Sequence, residues 1–229
     1  MNPSEQTEKL LDRLRGSRPD SANGRPSKSN DQTLGELFTL YRERLWRMLT
    51  IRLDRRMASR VSPDDVLQET YLDVARRIGE YLSDPAVPFY VWLRFLTIQR
   101  MLMIQRAHLG AQRRDVSMEV SIPQGGKNAR PRMPVASSES MAGQFVSKLT
   151  SPSQAAIRHE LQARLRAALE EMDPLDREVL ALRHFEELGN NEVAQVLGIS
   201  KDAASKRHVR ALKRLRAILA DPSGVLPGK

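Results

Sequence analysis

The stretch NEVAQVLGIS, residues 191–200, decides how the C-terminal part of the chain folds. Its apolar spacing predicts a short helix to Leu197, and Gly198 permits the positive φ of a tight turn. Ser200 is a good N-cap for a last helix that runs to about Ala220. Ala194 is small enough for the two helices to approach closely. The stretch therefore predicts a helix-turn-helix.

The last helix of this motif is strongly cationic. Residues 200–220 hold seven Lys and Arg and a single acid, Asp202. Because the second helix of a helix-turn-helix lies in the major groove of DNA, its outward side chains should contact bases or phosphates, and the sequence leaves both open. These candidate DNA contacts are Ser200, Lys201, Ala203, Lys206, Arg207 and Arg210. The alternative is an ordinary helical hairpin with a solvated charged face. His208 is expected to be a core histidine with a hydrogen-bond partner, or else a phosphate contact.

Helical periodicity extends through most of the chain. The other predicted helices cover 34–49, a segment that starts at 63, 89–113, 157–172 and a segment from 174 to about 184. Ser62 and Asp65 predict a capping box, and Asp173 predicts a second N-cap. Since no strand alternation is visible, the fold class is all-α, with two small helical domains joined by a flexible linker. The predicted divisions are a disordered tail over 1–33, a domain over 34–114, the linker over 115–153, the helix-turn-helix domain over 154–221 and a tail over 222–229. Within the first tail, only a short helix around residues 8–15 could form.

Composition excludes several classes of protein. The 229 residues include no cysteine, which excludes disulfide frameworks, thiolate zinc sites and cysteine nucleophiles. The four histidines are too scattered to predict a metal site, and we expect no cofactor. No apolar stretch reaches the roughly 18 residues of a membrane helix, and the polar N-terminus lacks a secretory signal. The chain is therefore predicted to be cytoplasmic. Its net charge of +9 predicts that it binds nucleic acid.

Two helices of the N-terminal half differ sharply in charge. Asp65, Glu69 and Asp73 are spaced four residues apart, so three carboxylates share one helix face. That face could be solvated, bind a basic partner or hold a metal. Residues 94–114 hold five Arg, one His and no acid, and aromatic residues precede them. Aromatic and cationic side chains together bind single-stranded nucleic acid, although Trp92 fits the core stripe better.

These motifs resemble those of bacterial sigma factors of the extracytoplasmic-function group. Residues 64–71 are similar to the acidic helix with which that family binds the clamp coiled coil of RNA polymerase. Residues 89–93 match the start of the helix that melts and reads the minus-ten element. Residues 176–180 and 192–200 match the family's fourth conserved region, which reads the minus-thirty-five element. The resemblance covers roughly residues 34–114 and 157–219.

The resemblance implies roles for particular residues. Asp65, Gln68 and Glu69 would dock polymerase, and the outward residues of the last helix would read the minus-thirty-five element. Gln99, Arg100 and Arg106 would face the melted minus-ten strand. The implied partners are core RNA polymerase and promoter DNA, with an anti-sigma factor as a further candidate, and no enzymatic activity is expected.

Two other classes of function compete with this interpretation. A stand-alone helix-turn-helix repressor or activator would bind duplex DNA tightly without polymerase, as a dimer on paired half-sites. An enzyme acting on nucleic acid would hold a metal on Asp64, Asp65, Glu69 and Asp73. The enzyme would also need ligands from a second segment, which the sequence does not suggest.

Overall fold

The computed structural model describes residues 3–16, 28–54, 60–109, 135–149 and 155–220. Within these ranges the chain forms helices and no strands, so the prediction of an all-α fold is confirmed. The helices are α1 (Pro3–Gly16), α2 (Lys28–Arg52), α3 (Pro63–Ser83), α4 (Phe89–Leu109), α5 (Ser138–Leu149), α6 (Ala155–Glu171), α7 (Pro174–His184), α8 (Asn190–Leu197) and α9 (Lys201–Ala220). None of the described helices is long and apolar enough to cross a membrane.

The chain divides into two compact units. The first contains α1, α3, α4 and α2 up to Leu49, and the second contains α5–α9 together with residues 50–52. The last four residues of the predicted helix over 89–113, and the predicted tail over 222–229, lie outside the described residues.

The core of the first unit is built by the apolar stripes that the sequence predicts. Leu37, Leu45 and Leu49 of α2 are fully buried, as are Val66 and Val74 of α3. From α4, the buried apolar residues are Phe89, Tyr90, Leu93, Leu96, Ile98, Met101 and Leu102. Trp92 lies in an aromatic cluster, with its ring centroid 4.8 Å from that of Tyr81. Its assignment to the core rather than to a base-stacking surface is therefore favoured.

Within the predicted tail over 1–33, helix α1 is longer than the short helix allowed around residues 8–15, and it contradicts the disorder expected for the rest of its length. Leu10, Leu11 and Leu14 on this helix are buried. The hydroxyl groups of Thr7 and Tyr41 are 2.6 Å apart and hydrogen-bonded, so α1 packs against α2. A helix this short is marginal alone, and packing against the rest of the unit stabilises it. Residues 28–33 belong to α2, whereas 17–27 lie outside the described residues.

Helix α5 contradicts the expectation of a flexible linker over 115–153. Its Met141, Ala142 and Val146 are buried in one core with Leu169 of α6 and with Phe185, the C-cap of α7. Glu139 accepts a hydrogen bond of 3.2 Å from the Gln162 side chain. The segment thus belongs to the second unit from Val135 to Leu149, while 115–134 and 150–153 lie outside the described residues.

A buried ion-pair cluster lies in the second unit. The fully buried side chain of Arg52 contacts Glu178, and its Nη1 lies 2.7 Å from the Glu186 carboxylate. Glu178 also accepts a hydrogen bond of 3.2 Å from the backbone N–H of Ala136. Buried charges are tolerated when they are paired and hydrogen-bonded in this way.

Candidate nucleic-acid and protein interfaces

The predicted helix-turn-helix is present in the second unit. Helix α8 ends at Leu197, and Gly198 follows with a φ of +62°, which is the left-handed conformation that glycine adopts without strain. The backbone N–H of Ile199 then donates to the Ala194 carbonyl over 3.0 Å. Ser200 caps α9, because its Oγ accepts a 3.1 Å hydrogen bond from the N–H of Ala203. Local turn and cap residues thus set the angle at which α9 leaves the motif.

Helix α9 has an exposed face with two lysines, and Asp202 in the first turn is the single acidic residue of this helix. Lys206 and Lys213 are exposed, and Val209 between them is 49% exposed. Together with Ser205 and Arg210 these side chains line a shallow groove of about 430 Å³. An apolar side chain flanked by two lysines can contact a thymine methyl group while the lysines bind phosphates.

The six predicted DNA contacts do not all lie on this outer face. Lys201 and Lys206 are exposed as expected, whereas Ala203 is half-buried and Ser200 serves as the N-cap. The sequence reasoning missed Ser205, Val209 and Lys213. Their positions four residues apart on one helix were the available signal.

Arg207 and Arg210 depart furthest from the expectation that they point outward. The Nη1 atom of Arg207 donates to Asp176 Oδ1 over 2.6 Å. Arg210 donates through Nε to Oδ2 of the same carboxylate over 2.7 Å and through Nη2 to Oδ1 over 3.1 Å. Both guanidinium groups therefore contact α7. Arg207 lies outside the groove of Lys206 and Lys213, whereas Arg210 also lines that groove.

The Asp176 carboxylate is a buried charge stabilised by these two arginines. Burial raises its pKa, but the hydrogen bonds from Arg210 and Arg207 outweigh burial, and the pKa lies below its usual value. Asp173 provides the predicted N-cap of α7, since its Oδ1 accepts from the N–H of Leu175 over 2.8 Å. The same oxygen lies 3.3 Å from Arg207 Nη1.

His208 on α9 has the partner that the sequence interpretation favoured. Its Nε2 lies 3.0 Å from Nε2 of His184 at the end of α7, so one ring donates and the other accepts. Burial and the neighbouring Arg183 cation lower the pKa of His208 below its ordinary value. The pair therefore joins α7 to α9 in the form in which at least one imidazole is neutral.

The predicted docking face lies on the exposed side of α3. Gln68 and Glu69 are exposed, and Leu72, which the sequence reasoning missed, is 45% exposed beside them. Asp65 is exposed too, but its carboxylate closes the capping box: Oδ2 accepts from the Ser62 N–H over 2.8 Å and from the Ser62 hydroxyl over 2.7 Å. The predicted capping box is confirmed, and it gives Asp65 a structural role.

The predicted minus-ten residues on α4 separate into two groups. Gln99 is half-buried and Arg106 is exposed near the end of the helix. Arg100, which we expected to face DNA, instead donates through Nε to Asp73 over 2.7 Å, and its Nη1 lies 3.6 Å from Glu69. The guanidinium joins α4 to α3, because the two helices pack side by side and an acid stands opposite.

The four carboxylates of the metal hypothesis contact protein side chains, and Glu69 and Asp73 share Arg100. Asp64 pairs with Arg42, Asp65 with Ser62 and Asp73 with Arg100. Within the described ranges, no three His, Cys, Asp or Glu side chains group in a way that could hold a metal ion.

Comparison with known proteins adds to this geometry. The family described as "Sigma-70, region 4" matches residues 168–217, the segment that contains the helix-turn-helix. The chain is 25% identical over 187 residues to the ECF RNA polymerase sigma factor BldN of Streptomyces coelicolor, which covers 82% of this chain and 60% of that protein. It is 43% identical over 60 residues to the RNA polymerase sigma factor FliA of Pseudomonas aeruginosa, which covers 26% of this chain and 24% of that protein.

A solved structure is similar to nearly the whole chain. The structure of CnrH in complex with the cytosolic domain of CnrY aligns with a TM-score of 0.47 and 21% sequence identity, covering 96% of this chain and 99% of that chain.

Proposed function

We propose that the chain is an extracytoplasmic-function sigma factor, which binds core RNA polymerase and directs promoter recognition and strand opening in transcription initiation. The observation that carries the proposal is the match of residues 168–217 to sigma-70 region 4. That match coincides with a helix-turn-helix whose second helix has an exposed face containing Lys206 and Lys213. A cationic recognition helix is what binding to a DNA groove requires.

The upstream promoter element is assigned to α9. Its outer groove would contact the minus-thirty-five element through Lys201, Lys206, Val209 and Lys213. Ser200 contributes as the N-cap, and the positive end of the α9 helix dipole favours a phosphate there.

Polymerase docking is assigned to the exposed face of α3. Gln68 and Glu69 supply polar and negative groups, and Leu72 supplies apolar area next to them. A partly apolar, acidic face suits a basic partner surface, because charges at the edge steer association while the apolar contact is desolvated. Asp65 acts first as a helix cap in this proposal.

The minus-ten element is assigned to α4, through Gln99 and Arg106. Arg100 would act indirectly, by holding α4 against α3 through Asp73. Strand opening requires extruding a base at a cost of a few kcal/mol, which docking to polymerase would have to offset.

The proposed role involves no chemistry on the part of the chain itself and is carried out in the cytoplasm, where promoter DNA and polymerase are found. That an anti-sigma factor binds the chain stays a prediction. The alternative of a stand-alone helix-turn-helix regulator differs in requiring no polymerase for tight duplex binding.

The deciding experiment is transcription with purified core polymerase and the full chain on genomic DNA of the source organism. New transcripts with defined start sites, absent with core polymerase alone, are the expected result. Glu69→Lys should reduce them, whereas Glu80→Lys, the same charge reversal near the C-terminal end of α3, should not. The absence of any new start site would reject the proposal, and tight duplex binding by the chain alone would then favour the regulator.

A further inference from the structure

We propose that Asp176 is a positioning residue for the recognition helix: it holds Arg207 and Arg210 against α7 and so withholds both arginines from DNA phosphates. The inference rests on the proposed function of α9 as a DNA-reading helix. It assigns a role in DNA specificity to a carboxylate that lies on a different helix.

The geometry of the carboxylate supports this role. Asp176 is only 4% exposed, and both of its oxygens accept hydrogen bonds from arginines of α9. Arg210 binds it in the two-pronged manner in which arginine also binds a phosphate group. The Asp176 carboxylate on α7 thus binds these two arginines of α9 as a pair of phosphate oxygens would.

Arg210 lies at the border between two surroundings. On one side it lines a cavity of about 310 Å³ with Asp173, Asp176 and Arg207. On the other side it lines the outer groove with Lys206 and Lys213. Its side chain is 62% exposed, so the Arg210 guanidinium is accessible to a DNA phosphate.

Asp176 makes the outward position of these arginines unfavourable. An arginine that turned to a DNA phosphate would leave the buried carboxylate with one cation fewer, and an unpaired buried charge is strongly disfavoured. The lysines of the outer groove carry no such penalty. Since phosphate contacts are independent of sequence, removing two arginines from them lowers non-specific binding relative to binding that reads bases.

The test measures how the affinity of the full chain for a random-sequence duplex depends on salt. Each phosphate contact contributes a slope of about −0.9 in log affinity against log salt concentration. In Asp176→Asn the released arginines should steepen the slope by about one to two. The matched control is Glu171→Gln, which frees Arg214 from an exposed pair of 3.4 Å and should leave the slope unchanged. If Asp176 were only structural, its variant would bind more weakly with an unchanged or shallower slope, and that result would overturn the inference.

A second comparison does not depend on the folding of the Asp176 variant. Arg210→Gln keeps the Asp176–Arg207 contact and should leave the wild-type slope unchanged, whereas Lys206→Gln should make it shallower by about one. A salt slope that becomes shallower by the same amount in both variants would overturn the inference. Failure of the chain to bind the duplex at about 50 mM salt would overturn it too. Neither measurement uses polymerase or a promoter. A negative transcription assay would therefore reject the proposed function alone, and a contrary salt slope would reject the role of Asp176 alone.

Discussion

The carboxylate of Asp65 closes the capping box of α3, and this bond also sets its protonation. Hydrogen bonds from the backbone N–H of Ser62, and then from its hydroxyl, hold the pKa of Asp65 below 3.8. A carboxyl group whose pKa is lower in the folded chain than in the unfolded chain stabilises the fold at pH values above its unfolded pKa. This stabilisation is lost as the pH falls below 3.8. The resemblance to sigma factors assigned the same residue to polymerase docking, so the two roles need separating.

Substitution of Ser62 separates them. Ser62→Ala should lower the free energy of unfolding by about 0.5–2 kcal/mol, because the first turn of α3 loses its cap. Asp65→Asn should also destabilise the chain, and both effects should be read by urea denaturation. If Asp65 acts only as a cap, the folded variants should bind core polymerase equally well. Weaker binding by Asp65→Asn alone would show that its carboxylate contacts polymerase directly.

The His184–His208 pair gives the second unit a pH dependence. His208 has a lowered pKa, so the folded chain binds this proton more weakly than the unfolded chain does. The free energy of unfolding should therefore fall as the pH decreases below 6.5. His184 and Arg183 face His208 from α7, and a second imidazolium there adds repulsion.

The pH dependence can be measured by urea denaturation at a series of pH values. In His208→Gln the fall in stability below pH 6.5 should be smaller. His159→Gln, which removes an exposed histidine of α6, is the matched control and should retain the wild-type profile. Equal profiles for all three proteins would contradict a role for the pair.

Among the helices, those with local start and stop signals were predictable from sequence. Asp173, Gly198 and Ser200 act on neighbouring residues, so their positions alone located α7 and the turn before α9. Helix α5 was missed and α1 was expected only as a short helix around residues 8–15, because their few apolar residues gain stability only by packing on other helices.

The candidate site was predicted less completely than the fold, for a related reason. The direction of a cationic side chain depends on acids that are distant in sequence. Arg100 meets Asp73 on a neighbouring helix, and Arg207 and Arg210 meet Asp176. Helical periodicity alone places these arginines on a surface without showing which carboxylates stand opposite.

Helix α1 should contribute measurably to the stability of the first unit. Leu11 is 2% exposed, and Leu11→Ala should lower the free energy of unfolding by about 2–5 kcal/mol, since a buried leucine leaves a cavity. Lys9→Ala, which removes the exposed Lys9–Glu5 ion pair of the same helix, should lower the free energy of unfolding by at most a few tenths of a kcal/mol. Thermal denaturation and amide hydrogen exchange would measure both. Equal stability of the two variants, together with no protection of the α1 amides from hydrogen exchange, would support the expectation of a disordered N-terminal tail.

Across the whole molecule, the total of 37 Lys and Arg side chains overstates the cations available to DNA. Arg52, Arg100, Arg207 and Arg210 each pair with carboxylates within their own unit. Under the proposed function, the positive charge for DNA binding would therefore be concentrated on a few exposed side chains, including Lys201, Lys206 and Lys213 of α9. Salt dependence should follow these residues more closely than it follows total charge.

The two units should contribute to different steps of promoter use. Glu69→Lys changes the docking face and should raise the amount of chain needed for half-maximal transcription, in line with a loss of about 2–5 kcal/mol at a broken interfacial pair. Lys206→Gln should instead lower the transcription reached at a saturating concentration of the chain. If Lys206 reads a base, the loss of promoter-binding free energy should be about 1–3 kcal/mol. Since the substituted residues share no partner, the free-energy losses of the double variant should add to within a few tenths of a kcal/mol. Titration of core polymerase with each variant, on a promoter found by the genomic assay, measures both quantities. A double variant no weaker than either single variant would mean that the two faces act in one step.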